Sequence, residues 1–253
     1  LDDTVMSVSI VTTTIHKPVL IADYCENARR YDHSDVNFVI IGDKKTPLEV
    51  DDFCRSVSRT YGFDVQYYDV ARQLDYLRRY PALSEHLPFN SIQRRNIGLL
   101  LAYEIGSDVI ITIDDDNFVT ENDFIGSHSI VGTVQERLYV ASDSGWFNVC
   151  EMLVESEGRP FYHRGFPMSK RWLKQSVTKD RRSVRAAVNA GMWLNDPDID
   201  AITRMDMPIT AMSIRPEYLD GLALGTGTWS PFNSQNTALS RDVIPAYFLS
   251  PHV

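Results

Sequence analysis

The sequence predicts an α/β fold, with a Rossmann-type, mostly parallel sheet flanked by helices. In the first half of the chain, short β-rich runs alternate with helical stretches, an order that favours a doubly wound parallel sheet. The runs at residues 38–41 and 109–113 are almost continuously apolar, as expected for strands that are buried on both faces. Asp114, Asp115 and Asp116 follow the second of these runs, at the strand end where ligands bind in such sheets.

The chain begins with a predicted strand–helix–strand unit. Residues 8–11 form a short β-rich run, and a helical stretch covers about residues 22–31. Residues 38–41 form the second strand, which stops at Gly42 and Asp43.

Three helix-start signals come together after the second strand. Thr46 is a candidate N-cap, Pro47 occupies the first helical position, and Glu49 follows three residues after the cap. The helix that they predict runs to about residue 62, and residues 64–68 form the third strand.

Asn90 and Ser91 are candidate caps for the next helix. Its apolar side chains within residues 92–103 lie along one face, and Gly106 ends it. The strand at residues 109–113 then leads directly into the three aspartates.

The second half of the chain has weaker signals. Residues 183–190 look helical, residues 218–236 are rich in turns with short strands, and Ser240 can cap a final short helix through Tyr247. We expect this half to complete the sheet and to form a wall of the site.

Composition and charge exclude several classes of protein. With 43% hydrophobic and 23% charged residues, the chain resembles a soluble globular protein, and no window approaches the roughly 18 consecutive apolar residues of a membrane span. The net charge of −9 argues against nucleic acid as the main partner. Cys25, Cys54 and Cys150 are widely spaced, which favours buried thiols in a reducing cytoplasm. The basic stretch within residues 170–185 is either a solvated helix face or a positive wall beside an anionic ligand.

The three aspartates form a candidate metal site. Adjacent carboxylates after a buried strand repel one another, and a hard divalent cation relieves that repulsion. Mg²⁺ and Mn²⁺ prefer carboxylate, phosphate and water oxygens. Because side chains alternate along an extended segment, we expect Asp114 and Asp116 to face the metal and Asp115 to face ribose or sugar hydroxyls. The alternative is a solvated acidic turn, but the position at the ligand edge of the sheet favours the metal.

Residues at the ends of neighbouring strands fit a nucleotide diphosphate pocket. Thr12, Thr13 and Thr14 end the first strand with donors for base or phosphate, although threonine is also common within strands. Asp43 is a candidate acceptor for a base or ribose, or simply a turn residue. Arg95, on the helix before the aspartates, is a candidate bidentate clamp for the pyrophosphate, or a member of an exposed ion pair.

Residues 109–119 resemble the DXD region of GT-A glycosyltransferases and, more closely, the plant reversibly glycosylated polypeptides, which are UDP-arabinopyranose mutases. Three further stretches carry the narrower resemblance. They are residues 164–169 (RGFPMS), 191–201 (GMWLNDPDIDA) and 236–248 (NTALSRDVIPAYF). Their order and approximate spacing are similar to the family over nearly the whole chain.

The resemblance implies one GT-A-like nucleotide-sugar-binding domain over residues 1–253, with a nucleotide-binding half at 1–120 and a sugar-binding half at 121–253. It also implies a metal-dependent mutase that interconverts the pyranose and furanose forms of a nucleoside diphosphate sugar, with Mn²⁺ or Mg²⁺ as cofactor. Asn195 and Asn236 lie in the matching stretches and are expected to contact the nucleotide or the sugar.

The same stretches supply the candidate catalytic residues. Arg164, and Arg159 by approximate position, would stabilise the charge of the departing diphosphate or hold an oxocarbenium-like intermediate. Asp198 and Asp200 are candidate proton acceptors for the attacking sugar hydroxyl, or ordinary turn residues. Trp193 is a candidate for stacking on the sugar ring, or a buried core aromatic.

Two other functions stay open, a GT-A glycosyltransferase that passes the sugar to a separate acceptor and a binding or scaffold subunit without chemistry. The triple aspartate together with Arg164 argues against the scaffold. The substrate is a UDP-sugar such as UDP-L-arabinose or a GDP-sugar such as GDP-L-galactose. The departures from the plant pattern at residues 12–16 and around Asp43 favour a donor other than a UDP-sugar. A homo-oligomer is an open option for the assembly.

Overall fold

The computed structural model of the protein describes residues 6–250, which form two compact units. The first unit contains the described residues up to Thr133, together with Ala187–Asn189 and the described residues from Ser234 onward. The second unit contains Val134–Ala186 and Ala190–Asn233. The expectation of one domain with halves that meet at residue 120 stays a prediction.

Strands and helices alternate through the first part of the described chain, and short strands dominate the rest. The strands are β1 (Val8–Thr13), β2 (Val36–Ile41), β3 (Asp64–Tyr68), β4 (Val109–Asp114), β5 (Val134–Ser142), β6 (Leu153–Glu155), β7 (Val177–Arg185), β8 (Val188–Ala190), β9 (Ala211–Ile214), β10 (Leu222–Leu224) and β11 (Asn236–Ser240). The α-helices are α1 (Ile21–Arg30), α2 (Val50–Tyr61), α3 (Val70–Leu77), α4 (Pro81–His86), α5 (Arg95–Ile105), α6 (Phe124–His128) and α7 (Ala201–Asp206). Short 3-10 helices cover Ile92–Arg94, Val149–Met152, Met168–Lys170, Pro216–Tyr218 and Arg241–Ala246. The last of these is the short helix predicted after Ser240.

The first unit is built on a six-stranded sheet in the order β3-β2-β1-β4-β11-β8. Strands β3, β2, β1 and β4 are parallel, whereas β11 runs antiparallel to β4. The register places Thr13 beside Ile41 on one side and beside Asp114 on the other, so the carboxyl ends of three strands meet at one edge. The predicted α/β class, with a mostly parallel sheet and flanking helices, is confirmed.

Side chains that alternate along the central strands pack into two separate buried clusters. Ile10 and Phe38 belong to one cluster, which also contains residues from α1 and α2. Val11 and Val39 belong to the other, which contains residues from α5. Because successive side chains of a strand point to opposite faces, the nearly continuous apolar runs in the sequence supply both clusters at once.

The start of α2 differs from the prediction. The helix begins at Val50, because the hydroxyl of Thr46 donates to the carbonyl of Thr14 and accepts from the amide of Asp43 instead of capping a helix. The predicted end is confirmed, since Gly62 follows the helix with φ 81°, a left-handed conformation that glycine adopts without a Cβ clash.

The second unit contains a three-stranded sheet in the order β10-β5-β7 and a two-stranded sheet of β6 and β9. The predicted helix over residues 183–190 is wrong, because this region contains the end of β7 and all of β8. The whole of β7 pairs antiparallel with β5, and this long-range pairing overrides local helix propensity. Lys179, Arg181 and Arg182 are exposed on β7, so the basic stretch there is solvated, on a strand instead of a helix.

The cysteines are buried free thiols, as predicted. Burial raises the pKa of Cys25, Cys54 and Cys150 to about 12 in each case, so all three remain protonated at neutral pH. Within residues 6–250, no helix has both the length and the apolar character that crossing a bilayer requires.

His128, at the end of α6, is buried and hydrogen-bonded through both ring nitrogens. Its Nε2 lies 2.8 Å from Oδ1 of Asn236 on β11, and its Nδ1 lies 3.1 Å from Nδ2 of Asn189 on β8. An amide oxygen only accepts and an amide nitrogen only donates, so Nε2 carries the proton and Nδ1 accepts. Burial lowers the pKa of His128, and the neutral ring links α6 to two strands.

We expect the protein to lose stability as the pH falls below about 6.5. The unfolded chain then binds a proton that the folded His128 resists, so the stabilisation is fully present above the unfolded pKa and is lost towards the lowered folded pKa. Urea unfolding between pH 5 and pH 8 measures this dependence, which should be weaker in His128→Gln than in the wild type. His86 is exposed, and His86→Gln should keep the wild-type dependence. The same dependence in all three proteins would contradict the assignment.

Candidate functional site

A cavity of about 270 Å³ lies at the carboxyl ends of β1, β2 and β4 in the first unit. Its lining includes the predicted residues Thr13, Thr14, Asp43, Arg95, Asp114, Asp115 and Asp116. It also includes residues that were not predicted as ligands, namely Ile15, Ile41, Gly42, Asn90, Ser91, Ile92 and Arg94. The side chain of Thr12 is fully buried and does not line the cavity, so the fold brings all the predicted carboxylates of this unit to one place and leaves that threonine in the sheet.

Arg95 is the buried partner of Asp114. Its Nη2 donates to Oδ1 of Asp114 at 2.5 Å and to Oγ1 of Thr13 at 3.2 Å. Its Nη1 donates to the carbonyl and hydroxyl oxygens of Ser234 at 2.6 and 2.8 Å. The residue has no exposed surface, so the exposed ion pair considered from the sequence is wrong. Both Nη atoms of Arg95 thus donate to protein groups. The contact of Arg95 with a pyrophosphate stays a prediction.

Arg94, the neighbouring arginine, also lines the cavity. It is 2% exposed, its Nε donates to Oε1 of Gln73 at 2.7 Å, and its guanidinium carbon lies 4.3 Å from the centroid of the Phe89 ring. Its Nη2 is buried and has no hydrogen-bond partner among residues 6–250. Burial lowers the pKa of Arg94, and the carboxylate of Asp43 opposes that shift. A buried guanidinium nitrogen without a partner is suited to receive an anionic group.

The three aspartates do not alternate between two faces as predicted. Strand β4 ends at Asp114, and the next two residues form a turn, so the period of an extended segment does not apply to them. Oδ2 of Asp115 accepts a hydrogen bond from Oγ1 of Thr14 at 2.5 Å, while Asp116 is exposed. All three residues nevertheless line the same cavity.

The carboxylate oxygens around the cavity fit a small divalent cation whose coordination shell is completed by other ligands. In the described part of the chain, no group of three or more His, Cys, Asp or Glu side chains is placed to hold a metal ion. Mg²⁺, however, commonly uses one or two protein carboxylates and takes its remaining ligands from water and phosphate. Arg95 donates to Oδ1 of Asp114. Asp116 is exposed and lines the cavity. Their role as metal ligands stays a prediction.

Asp43 connects two loops at the edge of the cavity. Its Oδ1 accepts from the amide of Lys44 at 2.7 Å, and its Oδ2 accepts from the amide of Ser91 at 3.4 Å. The residue is 9% exposed. It therefore acts as a turn residue and also lines the cavity, so the two interpretations made from the sequence are compatible.

Asp198 is the centre of a polar cluster in the second unit. Its side chain is 9% exposed, and its Oδ2 accepts from Nη2 of Arg164 at 3.2 Å and from Nδ2 of Asn233 at 2.7 Å. The backbone N–H of Arg164 donates to the carbonyl of Asp198 at 2.9 Å. Because the Arg164 side chain is 61% exposed, its guanidinium is held by the carboxylate and still faces solvent. The fold thus joins two residues predicted as catalytic from separate motifs.

Asp200 and Arg159 are engaged in local structure. Asp200 caps α7 by accepting from the amide of Thr203 at 2.9 Å, and it also accepts from Nη2 of Arg171 at 2.8 Å. The backbone hydrogen bond from Thr203, followed by the bond from Arg171, lowers the pKa of Asp200 to about 2. Arg159 donates to the carboxylate of Glu155 at 3.0 Å. Both side chains have protein partners, so catalytic roles for them remain predictions with less support than those of the Asp198 cluster.

The remaining predicted ligands are spread over both units. In the second unit, the ring of Trp193 lies 4.9 Å from that of His163, and its Nε1 is buried without a partner among residues 6–250. Asn195 has a φ of 68°, and its backbone exchanges two hydrogen bonds with Ala211 at 2.7 and 3.1 Å. In the first unit, Oδ1 of Asn236 binds His128. The contacts of these three predicted ligands with nucleotide or sugar stay predictions.

Arg94 at the cavity, and His163 and Asn233 beside Asp198, were not among the predicted site residues. No local pattern shows that Arg94 as well as Arg95 is buried and lines the cavity. His163 directly precedes the motif at residues 164–169, and this adjacency was the available signal. Asn233 reaches the carboxylate cluster only through the fold.

Comparison with known proteins finds the resemblance in sequence again. No family model matches the chain. UDP-arabinopyranose mutase 2 of Arabidopsis thaliana and UDP-arabinopyranose mutase 1 of Oryza sativa subsp. japonica are each 32% identical to it over 141 residues. Each match covers 55% of the chain and 35% of the relative, so the matched part spans about a third of the length of these relatives. The predicted resemblance to UDP-arabinopyranose mutases is confirmed.

Among solved structures, the chain has a distant likeness to glucosyl-3-phosphoglycerate synthase from Mycobacterium tuberculosis. The complex of that protein with UDP is 11% identical, with a TM-score of 0.34 and coverage of 58% of this chain and 47% of that one. The complex with Mn²⁺ and UDP-glucose is 10% identical, with a TM-score of 0.33 and coverage of 54% and 43%. These values are too low to support an argument about function.

We expect Arg95→Met to lower the free energy of unfolding by roughly 2–3 kcal/mol, because it removes the buried partner of a partly buried carboxylate. Arg79→Met is the matched control. Arg79 also binds a carboxylate, that of Glu104 at 2.7 Å, but its side chain is 57% exposed, so the loss of stability should be much smaller than that in Arg95→Met. Urea unfolding at pH 7 measures both. Equal losses in the two variants would show that burial does not make the Arg95–Asp114 pair more stabilising than the exposed Arg79–Glu104 pair.

Proposed function

We propose that the protein is a nucleoside diphosphate sugar mutase that interconverts the pyranose and furanose forms of the sugar. The observation that carries the proposal is the cavity at the carboxyl ends of the parallel strands, lined by three consecutive carboxylates. The two relatives named UDP-arabinopyranose mutase supply the reaction class. The Arg164–Asp198 cluster supplies groups that suit the sugar chemistry.

The first unit would bind the nucleotide diphosphate. Asp114 and Asp116 would hold Mn²⁺ or Mg²⁺ together with diphosphate oxygens, in keeping with the preference of these ions for carboxylate and phosphate. When bound, the ion would stabilise negative charge on the diphosphate as a Lewis acid. Arg94 supports anion binding at the same cavity, since its Nη2 is buried there without a partner among the described residues. Thr13 and Asp43 would contact the nucleoside.

The second unit would act on the sugar. Changing the ring size requires the anomeric carbon to part from the ring oxygen and to bond to another hydroxyl oxygen of the same sugar. Arg164 is exposed and carries a permanent positive charge, so it is suited to stabilise a negatively charged group of the substrate. Asp198 would accept the proton of the attacking hydroxyl. Because a guanidinium remains protonated in proteins, we assign Arg164 an electrostatic role rather than that of a nucleophile.

The substrate class follows from the relatives. Both relatives are named for UDP-arabinopyranose, so a UDP-linked pentose is the first substrate to test. The GDP-linked alternative, which the sequence at residues 12–16 favours, belongs in the same panel.

We expect the purified protein to convert a UDP- or GDP-linked pyranose into its furanose isomer with Mn²⁺ and no acceptor. Chromatography and NMR of a panel that includes UDP-L-arabinopyranose and GDP-L-galactose measure the product. EDTA should abolish conversion, because the carboxylates alone would repel the diphosphate. Asp116→Ala and Arg164→Ala should each lower the rate by roughly a hundredfold or more.

Asp75→Ala and Arg78→Ala are the matched controls for that experiment. They remove the same charges from an exposed pair on the surface of the first unit, where the side chains are 71% and 81% exposed, and both should keep the wild-type rate. Free nucleoside diphosphate without an isomer would contradict the mutase and indicate a glycosyltransferase that passes its sugar to water. Full conversion in the presence of EDTA would contradict the metal.

A further inference from the structure

The imidazole of His163 faces the carboxylate of Asp198 inside the second unit. The side chain of His163 is 3% exposed, and its Nε2 lies 3.9 Å from Oδ2 of Asp198. This is beyond hydrogen-bond length, and Nε2 has no hydrogen-bond partner within residues 6–250. A buried polar atom without a partner is costly, so its position beside a carboxylate calls for an explanation.

The other ring nitrogen determines where the proton of His163 lies. Nδ1 is 2.5 Å from the backbone carbonyl oxygen of Arg164. A carbonyl oxygen can only accept, so Nδ1 must donate, and in the neutral ring Nε2 then has a lone pair and no proton. Two proton acceptors, Nε2 and the Asp198 carboxylate, therefore lie 3.9 Å apart, and a proton on either of them would turn their mutual repulsion into attraction.

The backbone holds these two acceptors in place. His163 forms an isolated antiparallel bridge with Ile199, and the N–H of Arg164 donates to the carbonyl of Asp198 at 2.9 Å. The turn that follows is closed by a bond from the N–H of Phe166 to the carbonyl of His163 at 2.9 Å. Backbone pairing on both sides thus keeps the side chains of His163 and Asp198 next to each other.

The charged groups that act on the His163 ring are few. Burial lowers the pKa of His163, the hydrogen bond to the Arg164 backbone carbonyl and the carboxylate of Asp198 oppose that shift, and the guanidinium of Arg164 adds to it. The nearby thiol of Cys150 is itself buried, with its pKa raised to about 12, so it carries no charge near neutral pH. Of the charged groups that act on the ring, the Asp198 carboxylate is the one that favours a proton there.

His128 shows what a purely structural buried histidine looks like in the same protein. Both of its ring nitrogens have partners, Asn236 and Asn189, at 2.8 and 3.1 Å. His163 has one nitrogen satisfied and the other directed towards a carboxylate that already accepts from Arg164 and Asn233. Packing alone does not account for that arrangement.

We propose that His163 and Asp198 together store one proton during the change of ring size, with His163 acting as a positioning residue through Asp198. The inference rests on the proposed mutase function. In it, the bond from the anomeric carbon to the ring oxygen breaks, and a bond to the attacking hydroxyl oxygen forms. The attacking hydroxyl loses its proton to Asp198, the proton moves on to Nε2, and it returns through Asp198 to the former ring oxygen.

This sequence of transfers balances within one turnover. The reaction is an isomerisation, so the proton removed from one oxygen of the sugar is the proton needed by the other, and no external acid or base is consumed. A lone carboxylate would hold that proton as a neutral acid, whereas the pair holds it as an imidazolium beside a carboxylate. Asp198 thereby keeps its charge opposite Arg164, and the salt bridge at 3.2 Å persists through the reaction.

The kinetic test uses the full chain and the variant His163→Asn. The asparagine amide can still donate to the carbonyl of Arg164 but offers nothing at the Nε2 position. We expect kcat to fall by roughly a hundredfold, in the range of a lost acid–base group, while KM changes less than about twofold. The kcat–pH profile should also differ from that of the wild type, because the imidazole no longer takes up a proton. An unchanged kcat and pH profile in His163→Asn would overturn the inference.

A second measurement does not depend on activity. The ¹⁵N chemical shifts of the imidazole in the labelled wild-type chain at pH 7.5 report which nitrogen carries the proton. We expect the Nδ1–H form for His163, and a lower imidazole pKa in Asp198→Asn than in the wild type, since the opposing carboxylate is gone. An Nε2–H form, or no change of pKa in Asp198→Asn, would overturn the inference. The expected NMR result together with no mutase activity would instead remove the proposed function and leave the proton-sharing pair.

Discussion

The ion pair between Arg95 and Asp114 is the interaction on which the first unit depends. The guanidinium is completely buried at the start of α5 and bonds to the end of β4, to Thr13 on β1 and to Ser234. A buried charge must be paired and hydrogen-bonded to be tolerated, so these three partners meet at the guanidinium. The bond to Asp114 holds the last residue of β4, after which the other two aspartates leave the sheet and line the cavity.

Both units contain polar groups of two kinds, and the difference between them separates structure from chemistry. Asp200 has protein partners that account for its position. Arg94 and His163 each have a buried nitrogen without a partner in the described chain, the first at the cavity and the second opposite Asp198. Folding leaves such groups unsatisfied only at a cost, which a ligand or a transferred proton can offset. Arg94 lines the cavity and His163 faces Asp198, so each is placed where such a group could act.

Much of the fold could be predicted because its signals are local. The apolar runs at residues 38–41 and 109–113 indicate buried parallel strands, and the strand end before the aspartates indicates a ligand edge. The failures have a non-local origin. Residues 183–190 form strands because β7 pairs with β5 over its whole length. Similarly, His163 was missed because its significance comes from Asp198, which is distant in sequence and adjacent in the fold.

The central claim is that the cavity in the first unit binds a nucleoside diphosphate through a divalent metal held by Asp114 and Asp116. Isothermal titration calorimetry of the full chain with UDP and with GDP, in Mn²⁺ and in EDTA, tests it most directly because it requires no knowledge of the sugar. The account predicts that one of the two nucleotides binds in Mn²⁺, and that EDTA or Asp116→Ala weakens its binding by at least about tenfold, or roughly 1.4 kcal/mol. Binding of equal strength in Mn²⁺, in EDTA and in Asp116→Ala would contradict the account.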